Sequence, residues 1–286
     1  PFVLCIALLF SEAQAFTIAW LSDTQNYHNA YKPIFDGMTQ WIADNRAALD
    51  IRFVFHTGDV VGRWSSEDQW RQARESMGIL SNASIPFLTV CGNHDIGYRM
   101  NYANFLKYVL SLRPASMSQE YGDTGSRYEL FSANGRDYIF MGIAFSNKGP
   151  SEDEVNWING VLRQYSSRDA IIITHSYLKK SASYTTQGKA IFEKIVKANP
   201  NVFLVLCGHC RDISYKNVQL DDDGDGNPDR TVYAILSNFQ GSKAGGGGYM
   251  RILDFRDSDI YIYTYSPYYD SCEYPKGKTE ATVPLP

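Results

Sequence analysis

Five short apolar runs, each ending in a polar turn, constrain the fold of this chain more than any other feature of its sequence. The runs cover residues 16–21, 51–56, 87–90, 170–173 and 202–206. Near-continuous apolar runs of this length are typical of strands that are buried on both faces of a sheet. Ligand sites in open α/β sheets form beyond the carboxyl ends of such strands. The pattern therefore predicts an α/β protein with a site at the strand ends.

Helical periodicity separates these strands up to residue 209. The helical segments predicted from apolar spacing are residues 33–49, 68–80 and 152–165. Beyond residue 209 the pattern is strand-like only, over 212–220, 231–237, 249–256 and 259–265, and residues 128–143 predict a hairpin around Asn134-Gly135. No internal repeat is visible. We expect one domain over residues 16–268, followed at 269–286 by an irregular tail or the start of a linker.

The first residues are typical of an export signal. Residues 2–10 form an apolar run, which is followed by the small-x-small sequence Ala13-Gln14-Ala15. This predicts a signal peptide over residues 1–15, truncated at its start, and a secreted or periplasmic protein. A short membrane anchor or a buried strand are the alternatives, but the run is too short to span a bilayer. No later run is long and apolar enough for a transmembrane helix.

Charge and cysteine content narrow the class of protein further. The formal net charge is −4, which argues against a nucleic-acid-binding surface because such domains usually carry a basic excess. Cleavage would leave Cys91, Cys207, Cys210 and Cys272, an even number that permits disulfides. Cys207-x-x-Cys210 also resembles a redox or zinc half-site, but no second such pair exists. Buried or incidental thiols are the favoured interpretation. The oligomeric state is not predicted.

The polar residues at the strand ends form an ordered set. They are Asp23, Gln25, Asp59, Asn93, His94, His175 and His209. Each alone is explained as a turn or helix cap, or as a structural histidine. Together they offer carboxylate, amide oxygen and imidazole ligands, the mixture that hard-to-borderline divalent metals prefer. A carboxylate such as Asp59 can bridge two ions that activate water and bind a phosphoryl group.

This order resembles the calcineurin-like metallophosphoesterase superfamily, whose pattern is D-x-H, G-D-x-x, G-N-H-[DE], H and G-H-x-H. The resemblance extends from residue 17 to about residue 266, and Gly-Asn-His-Asp at 92–95 is its most specific part. Residues 22–25 (Ser-Asp-Thr-Gln) and 264–267 (Thr-Tyr-Ser-Pro) are similar to a bacterial exported branch. The resemblance implies a four-layer αββα sandwich, with two packed mixed β-sheets flanked by helices. It also implies a hydrolase of small phosphorylated substrates that uses one or two Mn, Fe, Zn or Mg ions.

The resemblance also implies two metal positions. The first would be formed by Asp59, Asn93, His175 and His209. The second would be formed by Asp23, Gln25 and Asp59, with Arg211 where the family has its last histidine. A guanidinium cannot ligate a cation. The second position is therefore weak, or another residue or water completes it, or Arg211 itself binds the phosphate. His28 is a conceivable substitute ligand and is not favoured.

The mechanism that the resemblance implies uses His94 as proton donor to the leaving oxygen, oriented by Asp95. His56 is expected to pack or hydrogen-bond internally. Purple acid phosphatases carry a tyrosine three residues after the bridging aspartate, where this chain has Gly62, so that subgroup is disfavoured. One alternative is a one-metal phosphodiesterase or pyrophosphatase in which Arg211 neutralises the substrate. Another is a non-catalytic phosphate-ligand-binding module with a degraded second metal site. The choice between monoester and diester stays open.

A second group of acidic residues follows residue 220. Asp221, Asp223, Asp225 and Asp229 match the start of a calcium loop of the EF-hand type. Val232 stands where a bidentate glutamate belongs, and no helix pattern flanks the segment. A structural calcium site and a solvated hairpin tip are both compatible with the sequence. Residues 245–248, four glycines, are expected to be a flexible loop rather than a phosphate loop.

Overall fold

Two β-sheets form the centre of the protein in a computed structural model, which describes residues 16–112, 119–275 and 279–286. The strands are β1 (Phe16–Leu21), β2 (Ile51–His56), β3 (Phe87–Thr89), β4 (Gln119–Tyr121), β5 (Ser126–Ala133), β6 (Arg136–Ile143), β7 (Asp169–Thr174), β8 (Val202–Cys207), β9 (Asp212–Leu220), β10 (Arg230–Asn238), β11 (Met250–Phe255), β12 (Asp259–Tyr265) and β13 (Ala281–Pro284). The helices are α1 (Lys32–Asp44), α2 (Glu67–Asn82), α3 (Ala103–Tyr108), α4 (Glu152–Gln164) and α5 (Thr186–Ile191), the last continued by a π-turn over Phe192–Val196. Short 3-10 turns occupy Asn29–Tyr31 and Leu110–Leu112.

Both sheets are mixed, and each has a parallel part. The first sheet has six strands in the order β13-β12-β11-β1-β2-β3, and β1, β2 and β3 run parallel. The second has seven in the order β4-β5-β6-β7-β8-β10-β9, and β6, β7, β8 and β10 run parallel. Each parallel set therefore presents the carboxyl ends of its strands along one edge.

Alternate side chains along each strand fill different layers of the core. In β1, Ile18 and Trp20 belong to a core cluster between the sheets that also contains Ile171 and Leu204 of the second sheet. Ala19 and its neighbours on the other face of the first sheet pack against α1 and α2. The outer face of the second sheet packs in the same way against α4 and α5. This period of two, buried on both faces, gives four layers and confirms the predicted αββα sandwich.

The helices begin and end for local reasons that the sequence shows only in part. The predicted helix at 152–165 is found as α4, and Ser151 caps it by accepting a hydrogen bond from the Glu154 amide at 3.2 Å. The predicted helix at 33–49 ends earlier, at Asp44. There the Asn45 side chain donates to the Trp41 carbonyl at 2.8 Å, which competes with a further helical turn.

The segment predicted to be an irregular tail or a linker holds a strand, which corrects that expectation. Strand β13 pairs antiparallel with β12, with Val283 opposite Ile260, and Val283 is buried. A four-residue edge strand with one buried side chain carries too little alternation to be recognised from sequence. Three other elements are also too short to show a period in the sequence: strand β4 has three residues, and helices α3 and α5 have six each.

The predictions on cysteines, on the hairpin and on membrane-spanning helices concern residues that the structure describes. Cys91, Cys207 and Cys210 are thiols, and the first two are buried. The predicted hairpin forms from β5 and β6 around Asn134-Gly135. The proposed signal peptide lies outside the described residues. In the part of the chain that the structure covers, no helix combines the length and apolar character needed to cross a bilayer.

Candidate metal centre

The carboxyl ends of five strands from both sheets meet at one place. Asp23 follows β1, Asp59 follows β2 and Asn93 follows β3 in the first sheet. From the second sheet, His175 directly follows β7 and His209 follows β8. The predicted ligands thus come together at the junction of the two sheets, where parallel strand ends form ligand sites.

Four of these residues form a compact cluster around His175. Its Nε2 lies 3.0 Å from Asn93 Oδ1, 3.2 Å from His209 Nδ1 and 3.3 Å from Asp59 Oδ1. Ligand atoms about 2.1 Å from an ion are separated by roughly 3.0 Å in an octahedron and roughly 3.4 Å in a tetrahedron. The observed separations fit this range. The side chains of Asp59, His175 and His209 are therefore placed to hold a divalent ion together with Asn93.

The ring orientation of His175 is fixed by a residue that the sequence analysis did not single out. His175 Nδ1 donates to the Thr57 carbonyl at 2.8 Å, which leaves Nε2 as the ring nitrogen that faces the cluster. A backbone carbonyl is a usual partner for the second ring nitrogen of a metal-ligating histidine. Thr57 immediately follows β2, so its position at a strand end was the available signal.

Burial and charge at the cluster favour replacement of a proton by a cation. Burial alone lowers the pKa of His175, but the Asp59 and Asp23 carboxylates outweigh it and raise the pKa to about 9. Burial and the charge of His175 lower the pKa of His209 to about 4. Burial raises the pKa of Asp59, but the charge of His175 overcomes this and the net shift is downward. A buried carboxylate next to imidazole nitrogen atoms is a ligand set suited to Mn, Fe or Zn.

The backbone at the ligands is strained, and two glycines make room for it. Asp23, Asp59 and His209 have φ angles of 53°, 54° and 70°, a region that non-glycine residues rarely adopt. A Cβ at Gly92 would lie 2.1 Å from Asp59 Oδ1, and one at Gly208 would lie 2.3 Å from Asp23 Oδ2. Only glycine fits at these two positions.

The residues of the predicted second position are only partly arranged as ligands. Asp59 Oδ1 lies near His175, whereas Asp59 Oδ2 accepts a hydrogen bond from Gln25 Nε2 at 3.1 Å, so the two carboxylate oxygens contact residues of the two predicted positions. Asp23 is buried and accepts hydrogen bonds from Ser22 and from the His209 amide. Burial, opposed by His175 and aided by Asp59, raises the pKa of Asp23 to about 7.

Arg211 and His28 take no place among these ligands. Arg211 is exposed, and its side chain lies along Gly241, where a Cβ would be 3.6 Å from Arg211 Cδ. His28 bonds through Nδ1 to the Gln25 carbonyl at 3.2 Å.

The structure corrects the predicted partner of His94. The His94 ring is exposed, and its Nδ1 donates to the Gly62 carbonyl at 3.0 Å. Asp95 is buried and accepts hydrogen bonds from the Val61 and Gly92 amides at 3.0 and 2.8 Å. Burial and the nearby Asp59 charge raise the pKa of Asp95 to about 7. Asp95 therefore holds the backbone around the cluster, and Gly62 orients the His94 ring.

His56 is an internal residue, as predicted. Its Nδ1 accepts a hydrogen bond from the Gly58 amide at 3.1 Å, which leaves the hydrogen on Nε2 to be donated to Thr24 Oγ1 at 2.9 Å. The side chain is fully buried.

Sequence reasoning also missed Gln240 and Asn238. Gln240 Oε1 accepts a hydrogen bond from Gln25 Nε2 at 2.8 Å, so it lies beside the second position. Asn238 is buried and donates to the His209 carbonyl at 3.1 Å. Both lie at the carboxyl end of β10, a strand predicted at 231–237, so the strand-end rule extended by one strand would have found them.

The acidic segment lies at the tip of the β9–β10 hairpin, away from the strand-end cluster. Carboxylate oxygens of Asp221, Asp223 and Asp225 lie within 4.8 Å of one another and are exposed. Asp229 is not part of this group, and its Oδ2 accepts a hydrogen bond from the Asp222 backbone amide at 2.7 Å. Calcium binding by this segment stays a prediction. The glycine loop at 245–248 packs beside Asn26 and Tyr27, close to the second position.

Comparisons with known proteins agree with this geometry. A family model described as calcineurin-like phosphoesterase matches residues 16–210. The uncharacterized protein YvnB of Bacillus subtilis (strain 168) is 41% identical over 259 residues, which cover 88% of this chain and 20% of that protein. The chain thus spans about a fifth of the length of this relative.

Solved structures show the same fold at low identity. GAP50, the anchor in the inner membrane complex of Plasmodium, is similar with a TM-score of 0.61 and 14% identity, over 95% of this chain and 89% of that one. The purple acid phosphatase PPD1 from yellow lupin seeds is similar with a TM-score of 0.60 and 12% identity, over 96% of this chain and 54% of that one. TT1561 of Thermus thermophilus is similar with a TM-score of 0.54 and 12% identity, over 89% of this chain and all of that one.

Proposed function

Because this chain belongs to the calcineurin-like phosphoesterase family, we propose that it hydrolyses a phosphate mono- or diester by metal-activated water. The observation that carries the proposal is the cluster of Asp59, Asn93 and His209 around His175 Nε2, in which Asp59 and His175 are buried and the three distances to Nε2 lie between 3.0 and 3.3 Å. A divalent ion held there would lower the pKa of water and neutralise charge on a phosphoryl group. Proton donation and binding of the phosphoryl group are assigned to side chains of the protein itself.

His94 supplies the proton in this proposal. The leaving oxygen of a phosphate ester needs a proton as its bond to phosphorus breaks. With Nδ1 held by the Gly62 carbonyl, Nε2 is the nitrogen left for the substrate, and the ring is exposed. The His94 amide also donates to Asp59 Oδ1 at 2.9 Å, which ties the proton donor to the bridging carboxylate.

Arg211 is proposed to bind the phosphoryl charge. A guanidinium pairs with phosphate oxygens in bidentate fashion and is always charged. The proposal is supported by the exposure of Arg211 and by its sequence position, two residues after the predicted ligand His209.

The second candidate is a phosphate-ligand-binding module without turnover. The specific observation in its favour is that Arg211, an exposed side chain that cannot ligate a cation, stands in the sequence where the family has its last histidine, which leaves the second position one ligand short of the family pattern. The intact Gly-Asn-His-Asp segment argues for catalysis, because a binder has no need of a proton donor.

Hydrolysis of bis-p-nitrophenyl phosphate and of p-nitrophenyl phosphate with added Mn²⁺ tests the proposal. We expect turnover of at least one ester, and a decrease in kcat of about 100-fold in His94→Ala with unchanged metal content. His28→Ala is the matched control, because His28 bonds only a backbone carbonyl beside the site. A metal-loaded, folded wild-type protein that hydrolyses neither ester would favour the binding module. A His94→Ala protein as active as wild type would exclude the proposed proton donor.

A further inference from the structure

We propose that Gln240 is a ligand of the second metal position and supplies the contact that Arg211 cannot make. This inference deepens the proposed function and rests on it, because it concerns the second ion of the same site. No motif of the family pattern includes residue 240. The evidence is the arrangement of three side-chain amide and carboxylate groups, together with the register of two neighbouring strands.

Two side-chain carboxamides, those of Gln25 and Gln240, lie beside the bridging carboxylate of Asp59. Gln25 Nε2 lies 3.1 Å from Asp59 Oδ2 and 2.8 Å from Gln240 Oε1. Gln25 is only 4% exposed and Asp59 is buried, so the contact between them is shielded from water, whereas Gln240 is half-buried. One carboxylate oxygen and one carboxamide oxygen, Asp59 Oδ2 and Gln240 Oε1, therefore both lie within hydrogen-bonding distance of the same atom, Gln25 Nε2.

The Gln25 carboxamide itself indicates a cation at that spot. Its oxygen, Oε1, is buried and has no hydrogen-bond partner among the described residues. Leaving a buried acceptor without a partner costs about 1–3 kcal/mol. Rotation of the amide by 180° would exchange its nitrogen and oxygen and direct three oxygens at the same point. Three converging oxygens repel one another unless a cation lies between them.

The spacing of this group suits a hard divalent ion. Oxygen ligands about 2.1 Å from Mg²⁺ or Mn²⁺ in octahedral geometry are roughly 3.0 Å apart. The two separations made by the Gln25 amide, 2.8 and 3.1 Å, bracket that value. Carboxylate and carboxamide oxygens are also the ligand types that such ions prefer.

Strand register explains why residue 240 takes the place of residue 211. Strands β8 and β10 are parallel neighbours, and Cys207 lies opposite Leu236. Arg211 and Gln240 each follow their paired residue by four positions. The chain after β10 therefore reaches the same edge of the sheet as the chain after β8. Arg211 lies along Gly241, directly beside Gln240 in the sequence.

The segment that carries Gln240 is held in place by its neighbours. The backbone amide of Gln240 donates to Asn238 Oδ1 at 3.0 Å. The side chain of Asn238 in turn donates through Nδ2 to the backbone carbonyl of His209 at 3.1 Å. Phe239 is buried against Tyr249 and Tyr274, with ring centroids 5.7 and 5.1 Å apart. A ligand on so constrained a segment loses little side-chain and backbone entropy when an ion binds.

Mn²⁺ titration of the full chain without substrate tests the inference, with calorimetry for stoichiometry and electron paramagnetic resonance for coupling between two ions. We expect two Mn²⁺ per wild-type chain and a coupled spectrum. In Gln240→Ala we expect one tight ion, with the second bound at least about tenfold more weakly and the coupling lost. Gln240→Glu keeps an oxygen ligand and is expected to retain both ions. Gln219→Ala makes the same chemical change on exposed β9 and is expected to behave as wild type.

The outcomes separate this inference from the proposed function. Two ions bound by Gln240→Ala with unchanged affinity would overturn the ligand role of Gln240, and so would a wild-type protein that binds one ion only. Loss of the second ion in Gln240→Ala, together with a wild-type protein that hydrolyses no ester, would support the ligand role while contradicting the hydrolase. Circular dichroism of each variant establishes that it is folded, and Gln240→Glu provides an independent test if the alanine variant is not.

Discussion

A buried neutral histidine makes the stability of this protein dependent on pH. Burial, reinforced by charge at His175 and opposed by Asp59, lowers the pKa of His56 to about 3 from an ordinary value of 6.5. Its Nδ1 accepts from Gly58 and its Nε2 donates to Thr24, so both nitrogens are used only in the neutral form. As the pH falls, this histidine is protonated near pH 6.5 in the unfolded chain but only near pH 3 in the folded protein. The contribution of His56 to stability is therefore present above pH 6.5 and is lost as the pH falls toward 3.

Substitution of His56 by asparagine removes this titration. The asparagine Oδ1 can replace Nδ1 as acceptor for Gly58, and the side chain does not ionise in the acidic range. We expect the free energy of unfolding of His56→Asn to fall with decreasing pH less steeply than that of wild type, by up to about 1.4 kcal/mol per pH unit. Urea unfolding at several pH values between about 4 and about 7 measures both slopes. Parallel curves would show that His56 is not the titrating group.

At the scale of single residues, the sequence predicted the metal-ligand candidates better than the hydrogen-bond partners that orient their side chains. Asp59, His175 and His209 each lie within three residues of the end of a buried strand, so strand position alone predicts that they converge. The contact of His175 with the Thr57 carbonyl joins residues that are far apart in the chain and depends on ring orientation. Asp95 was assigned to the wrong partner because adjacency to His94 says nothing about where its carboxylate points.

At the scale of elements, burial on both faces decided what was predictable. Strands such as β1 and β8 are buried along their whole length, and their continuous apolar sequences identify them. Strand β13 lies at a sheet edge and alternates exposed and buried residues over only four positions. Helix α5 has six residues before its π-turn, too few for a periodic stripe.

Strand β13 is expected to contribute to stability although it lies beyond the predicted domain boundary. Val283 is 2% exposed and packs in the cluster between the sheets, whereas Thr282 on the opposite face is exposed. We expect Val283→Ala to lower the free energy of unfolding by about 1–2 kcal/mol, because two buried methyl groups are removed. Thr282→Ala should change it by less than about 0.5 kcal/mol. Equal effects of the two substitutions in urea unfolding would contradict the packing of β13.

At the scale of the whole molecule, the candidate metal centre joins the two sheets. Asp59 and Asn93 come from the first sheet, and His175 and His209 come from the second. The described contacts at this edge are between polar groups, of which Asp59 and His175 are buried. An ion held there would bind the folded protein and not the unfolded chain, in which these ligands are far apart. The position of the site thus predicts that metal binding and stability are linked.

Thermal unfolding with and without Mn²⁺ measures this linkage. At a free Mn²⁺ concentration about 100 times the dissociation constant, we expect about 2.7 kcal/mol of stabilisation, which is a rise in Tm of at least about 5 °C for a chain of this size. Excess chelator should reverse the rise. His175→Ala removes a ligand of the first position and should reduce the response to Mn²⁺ to well below that of wild type, whatever its effect on the Tm without metal. Because the comparison is the response to Mn²⁺ within each protein, general destabilisation does not obscure it. A His175→Ala protein stabilised by Mn²⁺ as much as wild type would place the ion elsewhere than at the junction of the two sheets.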